Sequence, residues 1–320
     1  MAHLLVIGGS GFFGKSILNS YRRGLLNRFD ITAITVMARN ADKLLAEAPD
    51  LLDDSITLLN ADIAKCTSLP FADIVIHAAA STDERNYIVR AQEELANIQA
   101  GTYNFCKLAP QFCKDAQIVY VSSGAAYGQQ PAGMEQVAED FALGSIDQLV
   151  PQKRDYAVAK RDGEQAIVEL GQQGLNVCIA RCFAFIGPYL PLDQHFAIGN
   201  FIRDGMRGDL ITVNAKSAVY RSYLHADDLV QWLMRIGKMS SAACPIFNVG
   251  SDEAISIQDL AKKIATYFQV DLQLPQVEGA SVDRYIPSIK KARSIGCQIE
   301  YSLDKAIEVT VTTLLKKQAS

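Results

Sequence analysis

The stretch His3-Leu4-Leu5-Val6-Ile7-Gly8-Gly9-Ser10-Gly11-Phe12-Phe13-Gly14-Lys15-Ser16-Ile17-Leu18 decides the fold. His3–Ile7 is a short apolar run, fit for a strand. Glycines follow, and then a stretch of helical composition. Glycines 9, 11 and 14 fit G-x-G-x-x-G, and glycines 8, 11 and 14 fit G-x-x-G-x-x-G. Without Cβ atoms such a turn is tight, and its backbone N–H groups come close to a pyrophosphate. The N-terminus of the next helix then faces the negative charge. The plainer alternative is a structural glycine-rich turn. Standing between the first strand and the first helix, the motif points to a dinucleotide lined by Gly8, Ser10, Gly11, Phe12, Phe13 and Gly14.

Outward from this turn, β-like runs alternate with helical stretches. The strands are expected at 3–7, 31–37, 56–59, 74–77, 118–122 and 177–182, with helices at 41–47, 91–113 and 156–170. This alternation predicts an α/β fold of the Rossmann type: a doubly wound parallel sheet with a smaller C-terminal substrate-binding lobe. The dinucleotide domain is expected over 1–182. Residues 183–320 form mainly the lobe, with 220–250 returning to the sheet. In that second part the pattern predicts helices at 196–206, 223–236, 257–268 and 303–316, and strands at 210–213 and 246–249.

Composition narrows the function. Hydrophobic residues make up 49% of the 320, enough for a sizeable core. The net charge of −4 is spread in both signs, so nothing suggests a nucleic-acid or anionic-membrane surface. A small anionic ligand needs only a few arginines and stays possible. No apolar stretch reaches the roughly 18 residues of a membrane span, and the N-terminal run lacks the features of a signal peptide. The seven cysteines are scattered without Cys-x-x-Cys spacing, as reduced thiols of a cytoplasmic protein would be. The four histidines show no metal-ligand pattern.

The residue after the second strand decides the cofactor's ribose, where NAD sites place an acid. Here the chain reads Met37-Ala38-Arg39-Asn40. No acid is present, and Arg39, with Asn40, suits a 2′-phosphate. NADP is therefore expected, with NAD as the alternative. Asp62 and Ile63, after the third strand, are candidate adenine contacts; a plain turn aspartate is the alternative.

Tyr156-Ala157-Val158-Ala159-Lys160 puts a phenol and an ammonium one helical turn apart. A free phenol titrates near pH 10, too high for efficient acid–base work at neutrality, and an adjacent cation lowers that value. By itself the pair is common on surfaces; its meaning comes from its company. Ser122-Ser123 ends the fifth apolar strand, at the carboxyl edge where ligands of such sheets bind.

Together these residues resemble the extended short-chain dehydrogenase/reductase family, the NAD-dependent epimerase/dehydratase group acting on nucleotide sugars. Gly8, Gly11 and Gly14 match its glycine motif, and His77-Ala78-Ala79 its fourth-strand motif. Ser122-Ser123 with Tyr127-Gly128, the pair Tyr156 and Lys160, Arg181 with Gly187-Pro188, Arg221 to Asp228, and Phe247-Asn248-Val249-Gly250 match further segments in order. The resemblance implies that Tyr156 passes a proton to or from the sugar oxygen and that Ser123 polarises it. Lys160 would hold the nicotinamide ribose and tune Tyr156, and Ala78 and Ala79 would line the cofactor. It implies that Arg221 binds the substrate diphosphate, with Asn200 and Ser81 as further substrate contacts. It also implies a homodimer built on the helices at 91–113 and 156–170.

Departures from the family pattern select among its reactions. Its 4,6-dehydratases carry Asp-Glu directly after the catalytic hydroxyl residue; here those positions are Gly124 and Ala125. Without these acids water elimination is disfavoured. The Asn usual before Gly-Pro is Ala184. The expected activity is NADPH-dependent reduction of a nucleotide-linked 4-keto-6-deoxy sugar. The alternatives are an NAD-dependent 4-epimerase and a non-catalytic NADP-binding protein.

Overall fold

A computed structural model describes residues 1–80, 84–147, 149–194, 196–276, 279 and 281–319; over 84–91, 152 and 319 it describes the backbone alone. The N-terminal apolar run forms β1 (Ala2–Ile7), and the glycine turn delivers the chain into α1 (Phe12–Arg22). The chain continues through β2 (Ile31–Ala38), α2 (Lys43–Glu47), β3 (Ile56–Asn60), β4 (Ile74–His77), α3 (Glu84–Phe112), β5 (Gln117–Ser123), α4 (Pro151–Gln172) and β6 (Asn176–Cys182). Then come β7 (Phe185–Ile186), α5 (Ala197–Arg207), β8 (Ile211–Thr212), β9 (Ala218–Arg221), β10 (Leu224–His225), α6 (Ala226–Gly237) and β11 (Ile246–Val249). The remaining elements are β12 (Ile255–Ser256), α7 (Ile257–Phe268), β13 (Leu272–Gln273), β14 (Val282–Tyr285), α8 (Lys290–Ser294) and α9 (Leu303–Ala319).

Seven strands form one sheet in the order β11-β6-β5-β4-β1-β2-β3, and every pairing is parallel. Alternate residues of each strand face opposite layers. Leu4, Val6, Val119, Val121, Cys178 and Ala180 pack beneath α1 and α6. Leu5, Ile7, Val75, Ile118, Tyr120, Val177 and Ile179 pack beneath α3 and α4. Both faces are therefore covered, which is why these strands read as unbroken apolar runs.

The strand order reverses between β1 and β4, so their carboxyl ends open a crevice. Backbone closeness builds the turn at its rim. Gly8 has φ +84°, and a Cβ there would lie 2.6 Å from the Ala79 Cα. A Cβ on Gly14 would lie 1.8 Å from the Gly9 carbonyl oxygen.

The lobe has its own core, with Ile198, Phe201 and Ile202 of α5 against Leu260, Ala261 and Ile264 of α7. Beside it β9 is flanked by β12, antiparallel, and by β14, parallel. Residues 246–249 add the edge strand to the main sheet, and Ile289, Ala292 and Cys297 also pack into its core.

Three expectations change. The helix expected from 156 starts at Pro151, because proline has no N–H to lose in a first turn and its φ is already helical; Tyr156 thus lies in the second turn. The helix expected over 223–236 starts at Ala226, since Leu224–His225 pair with Phe185–Ile186 and the His225 ring accepts the Asp227 N–H as the cap. The short strands at 218–221, 255–256 and 282–285 were not expected. Two to four residues long and mixing polar with apolar side chains, they lack an apolar run to announce them.

The Gly14 contact gives a test. Gly14→Ala must push α1 from the turn and should cost about 2 kcal/mol or more of stability. Gly133→Ala, whose Cβ would meet nothing within 4 Å, should cost far less. Urea denaturation of the two variants checks this, and equal stability would refute the packing argument.

Candidate active site

The sheet's carboxyl edge gathers the catalytic candidates. Lys160 is 3% exposed, and its ammonium donates to the Val121 carbonyl at 2.9 Å. The same nitrogen lies 5.7 Å from the centre of the Tyr156 ring and 5.4 Å from that of Tyr120. Both distances are within cation–π range. Tyr156 is half-buried and packs with Ile98 and Ala159. Burial pushes the Lys160 ammonium down to about 8, while the nearby Cys182 and Glu164 partly oppose the shift. At neutral pH it therefore stays charged, beside the tyrosine it would tune.

One helical turn beyond Lys160, Glu164 is buried and takes Arg181 in a two-pronged ion pair, with Nε to Oε1 at 3.0 Å and Nη2 to Oε2 at 2.7 Å. Ser122 Oγ donates to the same carboxylate at 2.5 Å. The alternation of β5 then turns Ser123 to the opposite face. Ser123 Oγ accepts the Ala125 N–H at 3.1 Å and lies 3.2 Å from the Tyr285 hydroxyl. Tyr285 also donates to the Cys182 carbonyl at 3.4 Å. The two adjacent serines thus have different partners, one in a buried ion-pair network and one at the crevice.

The cofactor candidates lie along the switch point. Gly11 caps α1 with no side-chain cap and no acid in the first turn. A Cβ on Gly11 would find its nearest neighbour at 3.9 Å, so the helix N-terminus opens onto a bare cradle. These are the features a pyrophosphate needs. Phe12 and Phe13 pack against Phe185, with centroids 6.1 and 5.7 Å apart, and this stack supports the turn from below. Ser10 is half-buried in the turn itself.

Arg39 and Asn40 are exposed at the end of β2. Asp42, the next acid along the chain, accepts the Asn60 amide at 2.5 Å. Asp62 accepts the Ala64 N–H at 3.0 Å, which is turn geometry, and Ile63 is buried next to it. Ala78 and Ala79 border Gly8. His77 is core: burial pushes its imidazole down to about 4, so it stays neutral.

Of the substrate candidates, Ser81 lies outside the described residues. Asn200 donates its amide to the Gln194 carbonyl at 2.8 Å, which ties α5 to the preceding loop, and its oxygen accepts from Arg203 of the same helix at 3.1 Å. Arg221 ends β9 and pairs with Asp283 at 2.8 Å. Glu164 could have been found as the next residue on the Tyr156–Lys160 face. Tyr285 and Asp283 carried no signal, because only the pairing of β14 with β9 brings them near.

The model of the NAD dependent epimerase/dehydratase family matches residues 4–250. The chain belongs to this family. Among its relatives, UDP-glucuronic acid decarboxylase 6 of Arabidopsis thaliana is 24% identical over 300 residues, covering 91% of this chain and 82% of that protein. GDP-6-deoxy-D-mannose reductase of Pseudomonas aeruginosa is 29% identical over 216 residues, covering 64% of this chain and 66% of that one. UDP-glucose 4-epimerase of Thermotoga maritima, solved with UDP-glucose, superposes with a TM-score of 0.79 at 18% identity, over 99% of this chain and 100% of that one. At such identity the likeness establishes the shared fold. No helix among the described residues is long and apolar enough to cross a membrane, and no three His, Cys, Asp or Glu among them stand ready for a metal.

Burial of Lys160 fixes a pH dependence. The unfolded chain keeps this proton up to its ordinary 10.5, whereas the fold sheds it near 8. Between those values the unfolded state binds more protons, so raising the pH favours the fold. Compared with Lys160→Met, the cofactor-free protein should gain stability from pH 8 to 10, by about 2 kcal/mol. Urea titrations at both pH values test this, and a difference that does not change with pH would refute it.

Proposed function

We propose that this protein is a cytosolic NADPH-dependent reductase of a 4-keto sugar carried on a nucleoside diphosphate. The observation that carries the reading is the wall beside Ser123. A Cβ on Gly124 would lie 2.7 Å from the Phe183 ring and 2.8 Å from the Tyr285 hydroxyl. Position 124 thus has no room for the carboxylate of a dehydratase, and Ala125 supplies none. At the edge of β5 stand the Ser123 hydroxyl, the Tyr156 phenol and the Lys160 ammonium. That set serves a carbonyl oxygen and its proton, and it includes no carboxylate base to strip a sugar carbon.

A bound dinucleotide supplies the hydride. Ser123 donates a hydrogen bond to the carbonyl oxygen and polarises it. Tyr156 gives that oxygen its proton, and the Lys160 charge eases the departure of the proton. The cradle at Gly11 takes the pyrophosphate, and Arg39, exposed at the end of β2, takes the 2′-phosphate of NADPH. Arg221 anchors the sugar's diphosphate. The reductase of Pseudomonas aeruginosa supports this reading among the relatives. A homodimer through α3 and α4 fits the half-exposed Tyr103 on α3, and light scattering would measure it.

The direct experiment follows NADPH absorbance with UDP-, GDP-, CDP- and dTDP-linked 4-keto-6-deoxy sugars. One of them should consume NADPH stoichiometrically. Tyr156→Phe should lower kcat by roughly 10²–10⁴. Carbon dioxide release from UDP-glucuronate, or epimerisation without net NADPH loss, would replace the reductase reading. Arg39→Ala should raise KM for NADPH at least about tenfold and leave NADH unchanged, since a charge-assisted contact is lost. Equal effects on both cofactors would return the preference to NAD.

A further inference from the structure

Arg221 closes β9, and Tyr285 stands opposite it in the register of β14. Two residues earlier on the same strand, Asp283 turns its carboxylate onto the same guanidinium. Nη2 donates to Asp283 Oδ2 at 2.8 Å. Nη1 reaches the carbonyls of Tyr220 and Asp283 at 2.8 and 3.4 Å. Two of these three partners are neutral backbone oxygens, and among the described residues Asp283 is the one acid in an ion pair with Arg221. The acid is also loosely held. Its side chain is 44% exposed against 22% for Arg221, and no second group grips it among the described residues.

Position makes this pair more than a surface contact. Neighbouring strands stand about 4.8 Å apart. Arg221 is therefore one strand beyond Tyr285, whose hydroxyl lies 3.2 Å from Ser123. A sugar with its reacting carbonyl at Ser123 would trail its phosphates toward this arginine.

We propose that Asp283 is an intramolecular stand-in for the substrate's phosphate. It occupies Arg221 in the free protein and yields when a diphosphate enters, so that the site selects ligands by charge. The inference rests on the reading of Arg221 as the diphosphate anchor. A ligand with no charge, or a single one, gains little by displacing a carboxylate. A diphosphate brings more charge to the guanidinium than it removes. Placing an acid on the anchor thus costs every ligand the same contact and leaves the diphosphates ahead.

Calorimetry tests this on the NADPH-saturated protein with UDP, GDP, CDP, dTDP and the matching monophosphates. Asp283→Asn should bind its best nucleoside diphosphate about three- to five-fold more tightly, the range of an exposed ion pair, and the monophosphate more tightly by no more than the same factor. Arg221→Ala should bind the diphosphate at least about tenfold more weakly, and adding Asp283→Asn to it should bring no gain. Unchanged or weaker binding in Asp283→Asn, with Arg221→Ala still impaired, overturns the stand-in alone. Undiminished binding by Arg221→Ala overturns the anchor and the stand-in together. Failure of every diphosphate to bind the unaltered protein overturns the nucleotide-sugar reading and the stand-in with it.

Discussion

A lysine ammonium buried under the carboxyl edge of the sheet is the constraint on which the site depends. Burying a charge is costly unless it is bonded and balanced. Lys160 meets that demand with the Val121 carbonyl, two aromatic faces and the carboxylate of Glu164 one turn away. Glu164 is itself held by Arg181 and Ser122. Removing one member of such a cluster leaves another charge stranded. Helix α4 is therefore locked to β5 and β6 by ionic geometry as well as by apolar packing.

That locking divides the labour between Ser122 and Ser123. They are neighbours of the same type at the end of one strand, and the two-residue period separates them. One joins the buried network and the other faces the crevice with Tyr285. The helical period of 3.6 decides what α4 presents: Lys160 and Glu164 lie on one face, so the buried ammonium and the carboxylate that steadies it come from successive turns of a single helix.

The crevice itself comes from missing atoms. Gly8 and Gly14 let backbone approach backbone at the switch point, and Gly11 leaves open space over the start of α1. Gly124 does the reverse beside Ser123: the space its missing Cβ leaves is filled by Phe183 and Tyr285. One set of glycines opens room over the switch point, and the other gives up room to packed rings.

The sequence by itself determined the doubly wound sheet, the glycine turn and the Tyr156–Lys160 pair. Each rests on a local rule: apolar runs separated by helices, glycines at fixed offsets, and an i, i+4 spacing. Strand 246–249 was legible for the same reason, as a short apolar run. Only the tertiary structure decided that Tyr285 reaches Ser123, that Asp283 covers Arg221, and that Asn200 ties down a loop. Those contacts join residues far apart in the chain through two- to four-residue strands. Polar strands that short carry no period of their own, so their partners are chosen by the packing of the lobe on the sheet.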